Sequence, residues 1–105
     1  MTDRELLEMA AKAAGNGATF AAGNWFIPVD DAISLWNPLT DDGDALRLAV
    51  KLCIEVSPCD GVILVNFPIG PNRELQEIHL EIEGDRYATT RRAIVIAAAA
   101  VGESP

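Results

Sequence analysis

The chain has 105 residues, which suffices for one domain with one hydrophobic core and is too short for two. Half of the residues are hydrophobic, and 16 Asp and Glu against 8 Lys and Arg give a net charge of −8 at pH 7. This charge repels phosphate backbones, so the composition argues against direct binding of DNA or RNA. The surplus acid suits either a basic protein partner or plain solubility.

The cysteines and the apolar segments indicate a compartment. Cys53 and Cys59 fit neither a disulfide framework nor a zinc-binding spacing, and Cys53 is expected to be a small core residue. The N-terminus lacks an apolar signal stretch, and the alanine-rich run at 93–101 is too short to span a bilayer. We therefore expect a cytoplasmic protein that makes no membrane contact.

The first predicted elements are a helix and a hairpin. Thr2 and Glu5 have the spacing of a capping box, and apolar residues then follow at helical intervals until Gly15, which predicts a helix over about 3–14. The irregular segment that follows contains a turn signal and favours a short hairpin at 18–29.

A second helix is predicted in the middle of the chain. Thr40 or Asp41 caps its N-terminus, and its apolar stripe continues until Ser57-Pro58, which is expected to end the helix. Lys51 and Glu55 are four residues apart and are expected to pair on its outer face.

Two strands follow the second helix. The β-branched run at 61–67 predicts a central strand, because it is apolar almost throughout. Residues 74–83 alternate between apolar and charged side chains, which predicts a strand with one face on the core and one in water. The two strands are expected to form a small antiparallel sheet that the 18–29 hairpin could extend.

A third helix completes the pattern. It is predicted to begin within 86–90 and to run to about Val101, with Gly102 as its stop. Ile96 and Ala100 make its outer side apolar as well, which suggests cover by the sheet on one side and a partner on the other, and a homodimer is one reading. The whole chain, 1–105, is thus expected to be one α+β domain in which an antiparallel sheet of two to four strands packs with three helices.

Two acidic clusters are candidate metal sites. Glu77, His79 and Glu81 share one strand face and could bind a metal or move a proton, although a solvated strand face explains them more simply. The acids at 41–44 resemble half of a calcium loop, but they lack the EF-hand spacing, and capping of the second helix accounts for them. We therefore predict no metal, no cofactor and no enzymatic activity.

The bases and the large aromatic residues suggest two further surfaces. Arginines and threonines gather over 86–92 at the start of the third helix, where they could bind a phosphate group or else pair with the acidic strand. Trp25, Phe26 and Trp36 could be exposed binding anchors, or they could cap the open end of the core.

The segment from Trp36 to Leu52, WNPLTDDGDALRLAVKL, resembles the central motif of small phage and prophage proteins known as the phage ABA-sandwich family. The segments at 3–7 and 90–99 are similar to that family too, whereas Ile96 stands where a basic or polar residue is expected. The resemblance implies a phage accessory protein with an α/β sandwich fold and no catalytic residues to transfer. Small acidic phage proteins of this kind include inhibitors of bacterial defence systems.

The leading hypothesis is a phage-encoded interaction protein that inhibits a bacterial defence component in the host cytoplasm, in the manner of an anti-CRISPR protein. Its partner would be a host protein, for example a nucleic-acid-binding component of the defence system. The alternatives are a sponge for a small signalling nucleotide and an accessory protein without enzymatic activity. The residues expected to bind a partner or ligand are Trp25, Trp36, Asp41, Asp42, Asp44, Glu77, His79, Glu81, Glu83, Arg86, Arg91 and Arg92.

Overall fold

Three helices and two antiparallel sheets of three strands each form the fold in the computed structural model, which describes residues 1–104. The predicted α+β class is confirmed. In chain order the elements are α1 (Asp3–Ala14), β1 (Thr19–Ala21), β2 (Asn24–Val29), β3 (Ala32–Leu35), α2 (Asp42–Leu52), β4 (Glu55–Pro58), β5 (Val62–Ile69), β6 (Glu74–Glu81) and α3 (Arg86–Glu103).

Helix α1 forms as its capping signal predicts. The Thr2 hydroxyl accepts a hydrogen bond from the Glu5 backbone N–H at 3.1 Å, and the Glu5 carboxylate accepts one from the Thr2 N–H at 3.0 Å. The Thr2 hydrogen bonds lower the pKa of Glu5. At the other end, Gly15 adopts the left-handed conformation with φ of 60° and ends the helix.

Helix α2 is shorter than predicted. Asp41 caps its N-terminus, as expected, but the helix ends at Leu52 because Cys53 turns into the left-handed region with φ of 58°. The prediction that the helix continues to Ser57-Pro58 is wrong, since residues from Glu55 onward pair with β5 as a strand.

Two side-chain predictions change with the early end of α2. Cys53 is exposed instead of lying in the core. Lys51 and Glu55 belong to different elements, and no ion pair joins them in residues 1–104. Val56 still packs against the core, but it does so from strand β4.

The second sheet has the strand order β4-β5-β6, and its two predicted strands are confirmed. Ile63 and Val65 of the central strand are fully buried, and Phe67 is 2% exposed. These side chains form the inner face of the sheet, against which α3 packs. Strand β4, which was not predicted, is the third member.

The predicted hairpin forms from β1 and β2, but it belongs to a separate sheet with the order β1-β2-β3. It therefore does not extend the second sheet. Pro28 pairs with Ile33 of β3, so β2 is the central strand of this sheet. None of the helices in residues 1–104 is long and apolar enough to cross a membrane.

Helices α1 and α3 pack closely along a surface of small residues. Ala10, Ala93 and Ala97 are fully buried in this layer. Gly102 was predicted to end α3, but it lies inside the helix and is buried. Glycine is required at this position because a side chain there would collide with the Met9 carbonyl oxygen of α1.

Ile96 and Ala100 are half-buried and pack against the core. Helix α3 packs against α1 and α2 as well as against the second sheet. Elements of the same chain thus contribute to the cover of α3.

Candidate interaction surface

The outer side of the second sheet carries no covering element in the part of the chain that the structure describes. Because Ile63, Val65 and Phe67 point inward, the alternate residues of β5 point outward, and the strand register places alternate residues of β4 and β6 beside them. We call this surface the open face. It consists of Glu55, Ser57, Val62, Leu64, Asn66, Pro68, Leu75, Glu77, His79 and Glu81.

Carboxylates lie on both sides of β5, whose outward residues on the open face are apolar except for Asn66. Asn66 of β5 lies between Glu55 on β4 and Glu77 on β6, and Glu81 lies beside Val62. The open face contains no Lys or Arg, and in residues 1–104 no Lys or Arg forms an ion pair with these three glutamates. The surface therefore combines negative potential with accessible apolar area.

Glu77, His79 and Glu81 lie in one row on β6, as the alternation predicts. The His79 ring contacts the Glu77 carboxylate, and their side chains are 60% and 50% exposed. No group of three or more His, Cys, Asp or Glu in residues 1–104 is arranged to hold a metal ion. The row lies on an exposed strand face.

The arginines of α3 point to different partners. Arg86 donates to the Cys59 carbonyl at 2.9 Å, Arg91 pairs with Asp42 at 2.7 Å, and Arg92 pairs with Asp3 at 2.9 Å. Arg86 and Arg91 line one cavity of about 480 Å³ together with Tyr87, whereas Arg92 lines another.

The N-terminus of α3 is also occupied. The Asp85 carboxylate caps it by accepting the Tyr87 N–H at 3.0 Å, which places a negative charge where a phosphate was expected. The alternative expectation, that the arginines pair with the acidic strand, is wrong. Arg91 and Arg92 pair instead with acids of α2 and α1. The glutamates of β6 thus form no ion pair with these arginines.

The three acids at the start of α2 stabilise the fold. Asp41 caps the helix by accepting the Asp44 N–H at 2.8 Å, and Asp42 forms its pair with Arg91. Asp44 is 7% exposed and accepts hydrogen bonds from the Asn37 N–H at 2.9 Å and from Arg47 at 2.8 Å. These contacts join the 36–40 loop to the helix.

Replacing Asp44 by alanine is expected to lower the free energy of unfolding by about 2 kcal/mol, because the Asn37 N–H would lose its acceptor in a partly buried site. Chemical denaturation would measure the loss. The exposed Asp31 serves as a control, and its replacement by alanine is expected to change stability by less than about 0.5 kcal/mol. Equal stability of the two variants would contradict the structural role of Asp44.

The two tryptophans are buried, at 8% exposure for Trp25 and 5% for Trp36. Phe20 packs edge-on against Trp25 with ring centroids 5.2 Å apart. The expectation of exposed aromatic anchors is therefore not met, because both rings close the end of the core. Phe26 is partly exposed and lies on the outer side of the first sheet.

No family model matches the chain, and no curated protein or solved structure matches it either. Functional inference from the structure therefore starts from the open face.

Sequence reasoning did not find the contribution of β4 to the open face. Glu55 was assigned to the outside of a helix, and its place beside Asn66 depends on the turn at Cys53. No local signal marked this turn, because Cys53 adopts the left-handed conformation that glycine usually supplies.

Proposed function

We propose that the chain is a non-enzymatic interaction protein that binds a basic surface of a partner protein through the open face. The observation that carries the proposal is the arrangement of Glu55, Glu77 and Glu81 beside partly exposed apolar residues, with no Lys or Arg on the same face. Charge complementarity of this kind speeds association and selects the partner, while the apolar centre supplies contact area.

The apolar part of the contact would come from the sheet and not from the tryptophans. Leu75 is 72% exposed at one end of the open face, and Val62 and Leu64 are half-buried along its centre. A partner side chain that covers this stripe would gain about 25 cal/mol for each Å² of apolar surface removed from water.

The resemblance to phage proteins supports a biological setting, in which the chain is phage-encoded and inhibits a bacterial defence component of the host cytoplasm, as anti-CRISPR proteins do. A defence protein that binds nucleic acid needs a basic groove. An acidic sheet face can occupy such a groove because it presents negative charge as the nucleic acid does. Arg86 and Arg91 line one cavity with Tyr87, but each guanidinium already binds an acceptor of the chain, which disfavours the alternative of a nucleotide sponge.

The test is an infection assay in bacteria that carry a defined nucleic-acid-targeting defence system. Expression of the natural chain is expected to restore phage plating, because the defence component is blocked. A variant with Glu55, Glu77 and Glu81 all changed to Lys is expected to lose this effect, since the negative potential of the open face is reversed. Binding of the purified chain to the isolated defence protein should weaken at high salt for the same reason.

A matched control separates local from overall charge. Glu8, Asp31 and Glu103 are exposed and lie away from the open face, and changing all three to Lys alters the net charge equally. This control is expected to protect the phage like the natural chain. Loss of protection in both variants, or in neither, would contradict a role for the open face.

A further inference from the structure

The second sheet has one long unpaired edge. Strand β6 has eight residues, against three or four for the other edge strands, and no strand in residues 1–104 pairs with its outer side. The Ile82 N–H donates to the Gly61 carbonyl at 3.0 Å, so the alternation of an antiparallel ladder turns the N–H and C=O groups of Glu77, His79 and Glu81 away from β5. The free hydrogen-bonding groups therefore belong to residues of the open face.

A groove lies along the C-terminal half of this edge. Leu80 points to the inner side of the sheet and Glu81 to the outer side, and both line the same cavity of about 630 Å³, which must therefore open at the strand edge. Leu39 and Thr40 line the opposite wall, and Thr89 of α3 contributes to the lining. A strand added to β6 would enter this groove and be covered on its inner side.

The charges around the edge determine which occupant fits. Glu81 and Glu83 line the groove, and its one arginine, Arg92, is already paired with Asp3. A second copy of the chain pairing through the same edge would bring the glutamates of two β6 strands together, which is unfavourable. A basic extended segment would instead meet opposite charge along its length.

We propose that the edge of β6 binds an extended basic segment of a partner protein by strand addition, with the segment running antiparallel to β6. This inference rests on the proposed function and specifies its mode of binding. In the antiparallel pairing, residues opposite Glu77, His79 and Glu81 lie on the open face, and Lys or Arg is favoured there. The intervening residues of the segment would lie beside Ile78 and Leu80, where apolar side chains are favoured.

Synthetic peptides test the mode without knowledge of the natural partner. The probe is a capped heptapeptide of four lysines alternating with three valines, and the first comparison is a peptide of the same composition with the lysines in one block. The second comparison is the alternating peptide with a methyl group on the backbone nitrogen of each lysine. This change keeps the side-chain charge and removes the backbone N–H groups that would face β6. The alternating peptide is expected to bind at least tenfold more tightly than both, as measured by calorimetry.

A proline variant tests the same contact from the side of the protein. His79→Pro removes one outward N–H at the centre of β6, and proline is tolerated in an edge strand where the N–H faces solvent. The variant is expected to keep the thermal unfolding midpoint within a few degrees and to bind the alternating peptide at least tenfold more weakly. If the variant fails to fold, the methylated peptide decides, because it leaves the protein unchanged.

The amide resonances of the labelled protein give the location. We expect the largest shifts on adding the alternating peptide at Glu77, His79 and Glu81, whose N–H groups face the free edge. Equal binding of all three peptides would overturn strand addition and leave charge-driven binding by the open face intact. Absence of binding by any peptide, or shifts confined to another element, would also overturn it, whereas the infection assay decides the proposed function separately.

Discussion

Replacing Trp36 by alanine is expected to lower the free energy of unfolding by about 3–5 kcal/mol, the usual range for removing a large aromatic side chain from a core. Trp36 is 5% exposed, and its backbone N–H donates to the Trp25 carbonyl at 2.9 Å, which fixes its position next to β2. The surrounding atoms cannot fill the volume of an indole ring, so a cavity remains. Denaturation by guanidinium chloride, followed by circular dichroism, would measure the change.

Tyr87 provides the comparison, because it is an exposed aromatic residue at 68% exposure. Tyr87→Ala is expected to change the free energy of unfolding by less than about 0.5 kcal/mol. If Trp36→Ala were as stable as the natural chain and lost partner binding instead, Trp36 would be the surface anchor considered from the sequence.

Replacing Gly102 by alanine is the second change with a large expected effect. An ideal Cβ at this position would lie 2.0 Å from the Met9 carbonyl oxygen, which is backbone and cannot rotate away. Either α1 and α3 must separate or the last turn of α3 must unwind, and both lose buried contacts. The expected destabilisation is about 2–3 kcal/mol, in the range for overpacking of a tight interior, and thermal unfolding would measure it.

Gly43 is a suitable control for this substitution because it is also helical and has no positive φ. A Cβ at Gly43 would meet only side-chain ends that can shift, the Arg47 guanidinium at 3.1 Å and the Asp41 carboxylate at 3.2 Å. Gly43→Ala is therefore expected to leave stability unchanged or to raise it by up to about 1 kcal/mol, since alanine favours the helix. A loss of stability at Gly43 equal to that at Gly102 would rule out the close helix contact as the cause.

Much of the fold was accessible from local patterns. The capping box and Gly15 predicted the two ends of α1, the apolar run predicted β5, and the alternating run predicted β6 with its correct faces. These elements share a strong local signal, because the same residues both favour the element and supply its buried face.

The errors arose where distant parts of the chain decide the structure. The helical spacing of apolar residues extends from α2 to Val56, although Val56 belongs to strand β4. The turn at Cys53 uses the left-handed conformation, for which glycine is the usual sequence signal. Strand β3 was missed because all four of its residues are exposed, so no burial pattern marks it. The role of Gly102 depends on Met9, which lies far away in the sequence.

The candidate site was predicted in part. Alternation placed Glu77, His79 and Glu81 on one wet face, but it could not show that β4 adds Glu55 or that the arginines of 86–92 are directed elsewhere. Such placements follow from tertiary packing, which a single sequence does not record.

The most direct measurement of the central claim is zero-length crosslinking of the chain to its partner with a carbodiimide, which joins a carboxylate to a lysine amine in contact with it. The complex would be formed with the defence protein whose activity the chain blocks in the infection assay, and the linked residues would be identified by mass spectrometry. We predict crosslinks at Glu55, Glu77 and Glu81. Crosslinks confined to the acids of other surfaces, such as Asp31 and Glu103, would contradict binding through the open face.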